Sequence, residues 1–131
     1  MWAKASQLLL LIAAALGGCA MEAPEPNQYK FAPARIARQR EAAILEEAVA
    51  LAAELRFEPA AEKFQQVLDR SLPAGDRQHA CEAMFWLGYC REKQGRRTEA
   101  VELYQRVISD FAGSRAAALA QQRLSQLQAR K

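Results

Sequence analysis

The chain has 131 residues, with 18 basic against 15 acidic side chains and a net charge of +3. A charge so close to balance excludes the concentrated basic surface of a nucleic-acid-binding domain, because the arginines are interspersed with glutamates. Strong helix formers dominate the composition and β-branched residues are few. We therefore predict an all-α fold with a single small domain.

The first residues have the three parts of an export signal. Lys4 and the amino terminus give a positive start, residues 8–16 are apolar, and two glycines precede Cys19. The apolar stretch is shorter than the roughly 17 to 25 residues that a spanning helix needs. We interpret residues 1–18 as a signal sequence. A soluble secretory signal with an incidental cysteine, or a buried core helix, are the alternatives.

The residues Leu16-Gly17-Gly18-Cys19 resemble the lipobox of bacterial lipoproteins. The resemblance implies that Cys19 carries covalent lipid, is the first residue of the mature chain and anchors it to the membrane. No other cofactor is expected. Ala20 stands where Asp would signal inner-membrane retention, which favours the outer membrane, facing the periplasm. Residues 19–34 contain three prolines among polar residues and predict a flexible tether.

From residue 35 onward, the spacing of apolar residues predicts helices joined by short breaks. We expect Asp76 and Ser114 to cap the third and the last helix, and Gly95 to end the third. The predicted helices cover about residues 35–55, 58–70, 76–94, 97–110 and 115–129.

Two cysteines fall on the third predicted helix. Cys81 and Cys90 are nine residues apart, which is about 13.5 Å along a helix axis and on opposite faces. Disulfides need Cα separations under about 7 Å, so we predict two buried free thiols, although an exported chain could oxidise them. With His79 as the single histidine and no CxxC pair, no metal site is expected.

The two halves of the chain repeat at an offset of 40 residues. Residues 57–68, FEPAAEKFQQVL, align with residues 97–108, RTEAVELYQRVI, so that Ala60 matches Ala100 and Phe64 matches Tyr104.

Residues 81–114, CEAMFWLGYCREKQGRRTEAVELYQRVISDFAGS, resemble a tetratricopeptide repeat. The matching positions are Leu87, Gly88, Gly95, Ala100 and Tyr104. The resemblance implies a short right-handed α-solenoid over residues 35–131, with a weaker repeat at about 41–74, a full repeat at 81–114 and a capping helix at 115–129. We expect Gly88 and Ala100 to be small because paired helices approach closely there, and Tyr104 to fill the space between repeats.

The ending YQRVISDFAGSRAAALAQQRLSQL resembles that of periplasmic tetratricopeptide proteins of the Tol-Pal cell-division coordinator family. The architecture is also similar to the outer-membrane β-barrel assembly lipoprotein, which has more repeats. These resemblances imply a protein–protein scaffold or adapter in outer-membrane assembly, cell division, or the secretion or pilus machinery, with protein partners in the cell envelope.

The sequence shows no catalytic constellation. It has no nucleophile elbow, no Gly-rich phosphate loop and no paired carboxylates in an apolar setting. We predict that the protein is not an enzyme. An accessory role beside a cell-wall enzyme is a remaining alternative.

The third predicted helix is apolar almost all the way round. We hypothesise that Phe85, Trp86 and Tyr89, rimmed by Glu82 and Lys93, bind a peptide or partner helix, because aromatic anchors dominate such interfaces. The alternative is that these aromatic residues pack in the core, with Trp86 the most exposed.

Repeat stacks usually need about three units to bury a continuous core. The first predicted helix carries a second apolar strip, Leu45, Val49 and Ala52, which we expect to be poorly covered. This strip predicts self-association or docking through that face. A self-assembling structural envelope lipoprotein is therefore the alternative function.

Overall fold

The computed structural model describes residues 28–130, and residues from Ala34 onward belong to one compact unit. The predicted signal sequence, Cys19 and most of the predicted tether lie outside the described residues. The described chain forms five helices: α1 Gln28–Ala53, α2 Phe57–Ala74, α3 Arg77–Lys93, α4 Arg97–Asp110 and α5 Arg115–Ala129. None of these helices is both long and apolar enough to cross a membrane.

The observed bounds of α3, α4 and α5 lie within about one residue of the predicted ones, as expected from their capping and helix-ending residues. The Asp76 carboxylate accepts the His79 N–H at 3.4 Å, and the Ser114 hydroxyl accepts the Ala117 N–H at 3.1 Å. Both predicted N-caps are therefore confirmed. Gly95 follows α3 with a φ of 79°, the left-handed conformation that ends a helix without a Cβ clash.

The first two helices are longer than predicted. α1 begins at Gln28 rather than near residue 35, so the last residues assigned to the tether are helical. α2 continues through Pro73 and ends at Ala74, because the left-handed Gly75 closes its last turn with an N–H donated to the Leu72 carbonyl.

The helices stack in sequence order. α2 packs on α3, α3 on α4 and α4 on α5, while α3 also contacts α5. α1 joins the stack through the buried Leu45 and Ala48 and through an ion pair between Glu47 and Lys63, 3.1 Å apart. This arrangement confirms the predicted all-α solenoid, with α1, α3 and α5 in one row and α2 and α4 in the other.

The aligned positions of the two repeats occupy equivalent core sites. Ala60 and Ala100 have no exposed surface, and neither have Phe64 and Tyr104. Gly88 permits the close approach of α4, since a Cβ there would lie 2.9 Å from Tyr104 Cε1. The prediction that Gly88 must be small is confirmed.

The strip on α1 that we expected to be poorly covered is buried at two of its three residues. Leu45 and Ala52 are buried, and Leu45 and Val49 lie beside Gln78 and His79 of α3. α1 forms ion pairs with Lys63 and Arg70 of α2 and lies beside α3, so the strip is covered at Leu45 and Ala52, whereas Val49 is only partly buried.

Leu55 occupies the turn position that glycine takes after α3. Its φ is 63°, which costs a residue with a Cβ about 1–2 kcal/mol, and its side chain is 75% exposed.

We expect Leu55→Gly to raise the free energy of unfolding by about 1 kcal/mol, because it removes this backbone strain and loses little packing. Urea unfolding of the full chain measures the change. As a control, Gly95→Leu introduces the same strain after α3 and is expected to destabilise by a similar amount. Lower stability of Leu55→Gly would contradict the assignment of strain.

Candidate functional site

A groove of about 710 Å³ lies between α3 and α5 and ends at the turn that joins α4 to α5. Its surface is apolar at the base and charged at the rim. The apolar lining includes Phe85, Trp86, Phe111, Ala116 and Leu119; the polar lining includes Arg77, Gln78, Glu82 and Arg115. An apolar concave surface with a few polar groups at its edge is suited to holding a side chain or a short segment of another molecule.

Three of the five residues hypothesised to bind a partner line this groove: Glu82, Phe85 and Trp86. Phe85 is only 6% exposed, and its ring lies 5.8 Å from that of Tyr104, so it belongs to the core and to the groove floor at once. Trp86 is partly exposed and stacks parallel to Phe64 with ring centroids 6.1 Å apart. The two predicted alternatives, packing in the core and lining a binding groove, therefore both hold for Phe85 and Trp86.

Tyr89 and Lys93 lie outside the groove lining, nearer the C-terminal end of α3. The Tyr89 ring meets Phe57 edge-on at 6.4 Å. Lys93 Nζ and Arg123 Cζ lie 5.3 Å and 5.4 Å from its centroid, both within cation–π range. Tyr89 also meets the Trp86 ring edge-on at 5.4 Å, so these two predicted site residues adjoin the groove through Trp86 and extend toward α2 and α5 without lining it.

Sequence reasoning missed the wall of the groove opposite α3. Phe111 and Leu119 stand on either side of the α4–α5 turn, and Leu119 is 36% exposed. In the sequence, residues 111–114 are only the short break between the predicted helices 97–110 and 115–129. The available signal was the large aromatic side chain at the start of that break, which is buried against the stack.

Arg77 is fixed at the rim by two contacts. Its Nη2 donates to the Asp110 carbonyl at 2.7 Å, and its Cζ lies 5.0 Å from the Phe111 ring centroid. Arg115 is also exposed at the rim. No carboxylate among residues 28–130 forms an ion pair with either guanidinium.

A partly buried polar network joins α3, α4 and α5 beside the groove. Glu92 accepts hydrogen bonds from the Tyr104 hydroxyl at 2.8 Å and from Arg123 Nε at 3.1 Å, and Arg123 Nη2 also donates to it. Burial and the hydrogen bond to Glu92 raise the pKa of Tyr104 above its ordinary value. The hydroxyl therefore stays protonated and serves as a donor to Glu92.

Both thiols on α3 are free and buried, as predicted. Burial raises the pKa of Cys90 to about 11, and burial together with the charge of Glu82 raises the pKa of Cys81. Thiols that stay protonated are poor nucleophiles, so neither offers an activated sulfur. No group of three or more metal-ligating side chains comes together within the part of the chain that the structure describes.

The fold is an α-solenoid of protein-interaction type. Its helix pairs are joined by short turns, a small residue lies at the closest helix contact, and a groove runs between helices of one row. Residues 82–114 match the family Tetratricopeptide repeat. The chain therefore contains a tetratricopeptide repeat, formed by α3, α4 and the turn before α5. Repeats of this family generally mediate protein–protein interactions. No curated protein and no solved structure matched the chain.

Proposed function

We propose that the protein is a non-catalytic adapter of the bacterial cell envelope that holds a partner protein in the groove between α3 and α5. The groove carries this proposal: Phe85, Trp86 and Leu119 provide an apolar base at the tetratricopeptide repeat. Large aromatic side chains such as Trp86 are enriched among the residues that contribute most of the binding free energy in protein interfaces, and apolar neighbours exclude water around them.

The envelope location is supported by the N-terminal sequence. A short apolar stretch followed by Gly17-Gly18-Cys19 has the pattern of a lipoprotein signal. Several acyl chains on Cys19 would anchor the chain stably, since one chain alone binds a membrane only marginally. We propose attachment to the outer membrane, with the helical domain facing the periplasm.

The alternative of a self-assembling structural lipoprotein is less well supported. It depended on an uncovered apolar strip on α1, and Leu45 and Ala52 of that strip are buried within the chain. The adapter function is therefore the one we propose.

In-cell crosslinking followed by mass spectrometry tests the adapter function. We expect the full-length protein to crosslink to another envelope protein and Leu119→Asp to abolish that crosslink, because it places a charge in the apolar groove. Leu72→Asp is the matched control, because Leu72 lies on α2 outside the groove. Its exposure of 44% is similar to the 36% of Leu119. Crosslinks only between copies of this chain, or a partner retained in Leu119→Asp, would contradict the proposal.

Membrane fractionation tests the anchor separately. We expect Cys19→Ser, exported behind an ordinary cleavable secretory signal in place of residues 1–18, to move from the membrane to the soluble fraction, because the thiol that receives the lipid is gone. Cys81→Ser and Cys90→Ser serve as controls, since both thiols are buried in the folded domain. A membrane-bound Cys19→Ser protein would contradict the lipid anchor and leave the groove proposal untouched.

A further inference from the structure

We infer that the partner segment held in the groove presents an acidic side chain to Arg77 and Arg115, next to an apolar side chain that contacts Trp86 and Leu119. The inference rests on the proposed function and specifies the chemistry of its partner.

The first observation is the charge left unpaired at the rim. Five of the thirteen arginines among residues 28–130 form ion pairs within the chain. Those that form ion pairs are Arg56, Arg70, Arg91, Arg96 and Arg123. Arg77 and Arg115 form none and both stand exposed at the same end of the groove. A carboxylate of the partner would form ion pairs with these two guanidinium groups.

The second observation is that Arg77 is already held in position. Its Cζ lies over the Phe111 ring, and the Asp110 carbonyl accepts from Nη2. A guanidinium has five N–H donors, so others are available for a carboxylate. Because this side chain is ordered before binding, less conformational entropy is lost when an acidic group docks.

The third observation is the backbone at the same end. Arg77 and Arg115 are the first residues of α3 and α5, so both helix N-termini face this rim. The N-terminus of α5 is capped by the neutral Ser114 hydroxyl, which leaves its partial positive charge uncompensated. The carboxylate of Asp76 caps α3 and its Oδ2 lies 2.5 Å from His79 Nδ1, so it is not paired with Arg77.

Glu82 determines which end of the groove the acidic side chain of the partner segment can occupy. It lies five residues after Arg77 on α3, about 7.5 Å farther along the helix, and would repel an acidic group placed there. The acidic side chain must therefore lie at the rim. Leu119 is one helical turn beyond Arg115, about 6 Å away, and Phe85 is about 12 Å beyond Arg77. In an extended partner, these distances correspond to an apolar residue about two to four positions from the acidic one.

Binding of defined peptides tests the inference. The probes are three fluorescein-labelled pools with amidated C-termini, each carrying Phe, Leu or Trp three positions after a variable residue. That residue is Asp or Glu in the acidic pool, Asn or Gln in the neutral pool, and Lys or Arg in the basic pool. We expect the full chain to bind the acidic pool at least about tenfold more tightly than the neutral pool in fluorescence anisotropy, as charge-assisted hydrogen bonds typically provide.

Charge-reversal variants identify the residues responsible. We expect Arg77→Glu/Arg115→Glu to prefer the basic pool, and Glu82→Gln to bind the acidic pool more tightly. Arg106→Glu/Arg130→Glu makes the same change in net charge at exposed positions outside the groove and should leave the preference unchanged. Circular dichroism checks that each variant is folded. If the double reversal unfolds the chain, Arg115→Gln replaces it, with an expected loss of most of the acidic preference.

The outcomes separate this inference from the proposed function. Equal binding of the three pools, or an acidic preference that survives loss of both arginines, would overturn the inference. If a neutral or basic pool binds best and Leu119→Asp abolishes that binding, the groove is a docking site but its partner is not acidic. If no pool binds while the cellular crosslink still depends on Leu119, the inference fails and the adapter function stands.

Discussion

Arg123→Met is expected to lower the free energy of unfolding by about 2–4 kcal/mol. The Glu92 side chain is only 9% exposed and would keep a single donor, the Tyr104 hydroxyl, after the guanidinium is removed. A partly buried carboxylate without its cation is costly, because the lost solvation is no longer compensated. Urea unfolding of the full chain should show a lower midpoint with an unchanged slope.

Two further variants check the cause of this loss. Arg96 pairs with Glu99, and both side chains are 46% exposed, so Arg96→Met should cost less than about 1 kcal/mol. The triple variant Glu92→Leu/Arg123→Met/Tyr104→Phe removes every polar member of the network and should recover much of the stability, since apolar replacements of buried ion pairs are often neutral. A triple variant as unstable as Arg123→Met would show that lost packing, and not the stranded charge, is the cause.

Gly88→Ala is expected to destabilise the chain by about 1–2 kcal/mol, even though alanine is the better helix former. The added methyl would lie 2.9 Å from Tyr104 Cε1 and 3.3 Å from Leu103 Cβ. The Tyr104 ring is fully buried and tied to Glu92 by its hydroxyl, so it has little freedom to move aside. The midpoint of urea unfolding reports the difference.

The same substitution in a Tyr104→Phe background isolates the part played by the hydroxyl. Without its hydrogen bond to Glu92 the ring can shift, so Gly88→Ala should cost less there than in the native chain. An alanine at position 88 that raised stability, as helix propensity alone predicts, would contradict the close-approach explanation.

The sequence predicted the helices best where local chemistry determines them. Asp76, Ser114 and Gly95 act within one turn of their own helix, so α3, α4 and α5 were located from capping and turn residues alone. The start of α1 was less well predicted, because Pro33 and its polar neighbours are typical of a tether, whereas α1 continues through Pro33.

The site was predicted in part because periodicity identifies one face of one helix. It placed Phe85 and Tyr89 on one side of the helix with Trp86 next to them, but it could not show that Tyr89 also contacts Phe57 and Arg123. It also could not show that Phe111 and Leu119 supply the opposite wall. Those contacts depend on how α5 returns across α3. The burial of Leu45 and Ala52 escaped prediction for the same reason, since it depends on α1 meeting two helices.

The contacts of Glu92 also bear on how the groove opens and closes. A terminal helix in a repeat array ordinarily frays first, because it has a neighbour on one side only. Here Arg123 of α5 donates to Glu92 of α3, which also accepts from the Tyr104 hydroxyl of α4, so separation of the last helix would leave a partly buried carboxylate without its cation. Amide protons of α5 should then exchange with solvent together with those of α3 and α4. We therefore expect both walls of the groove to be in place before the proposed partner binds, so that recognition would use a preformed surface.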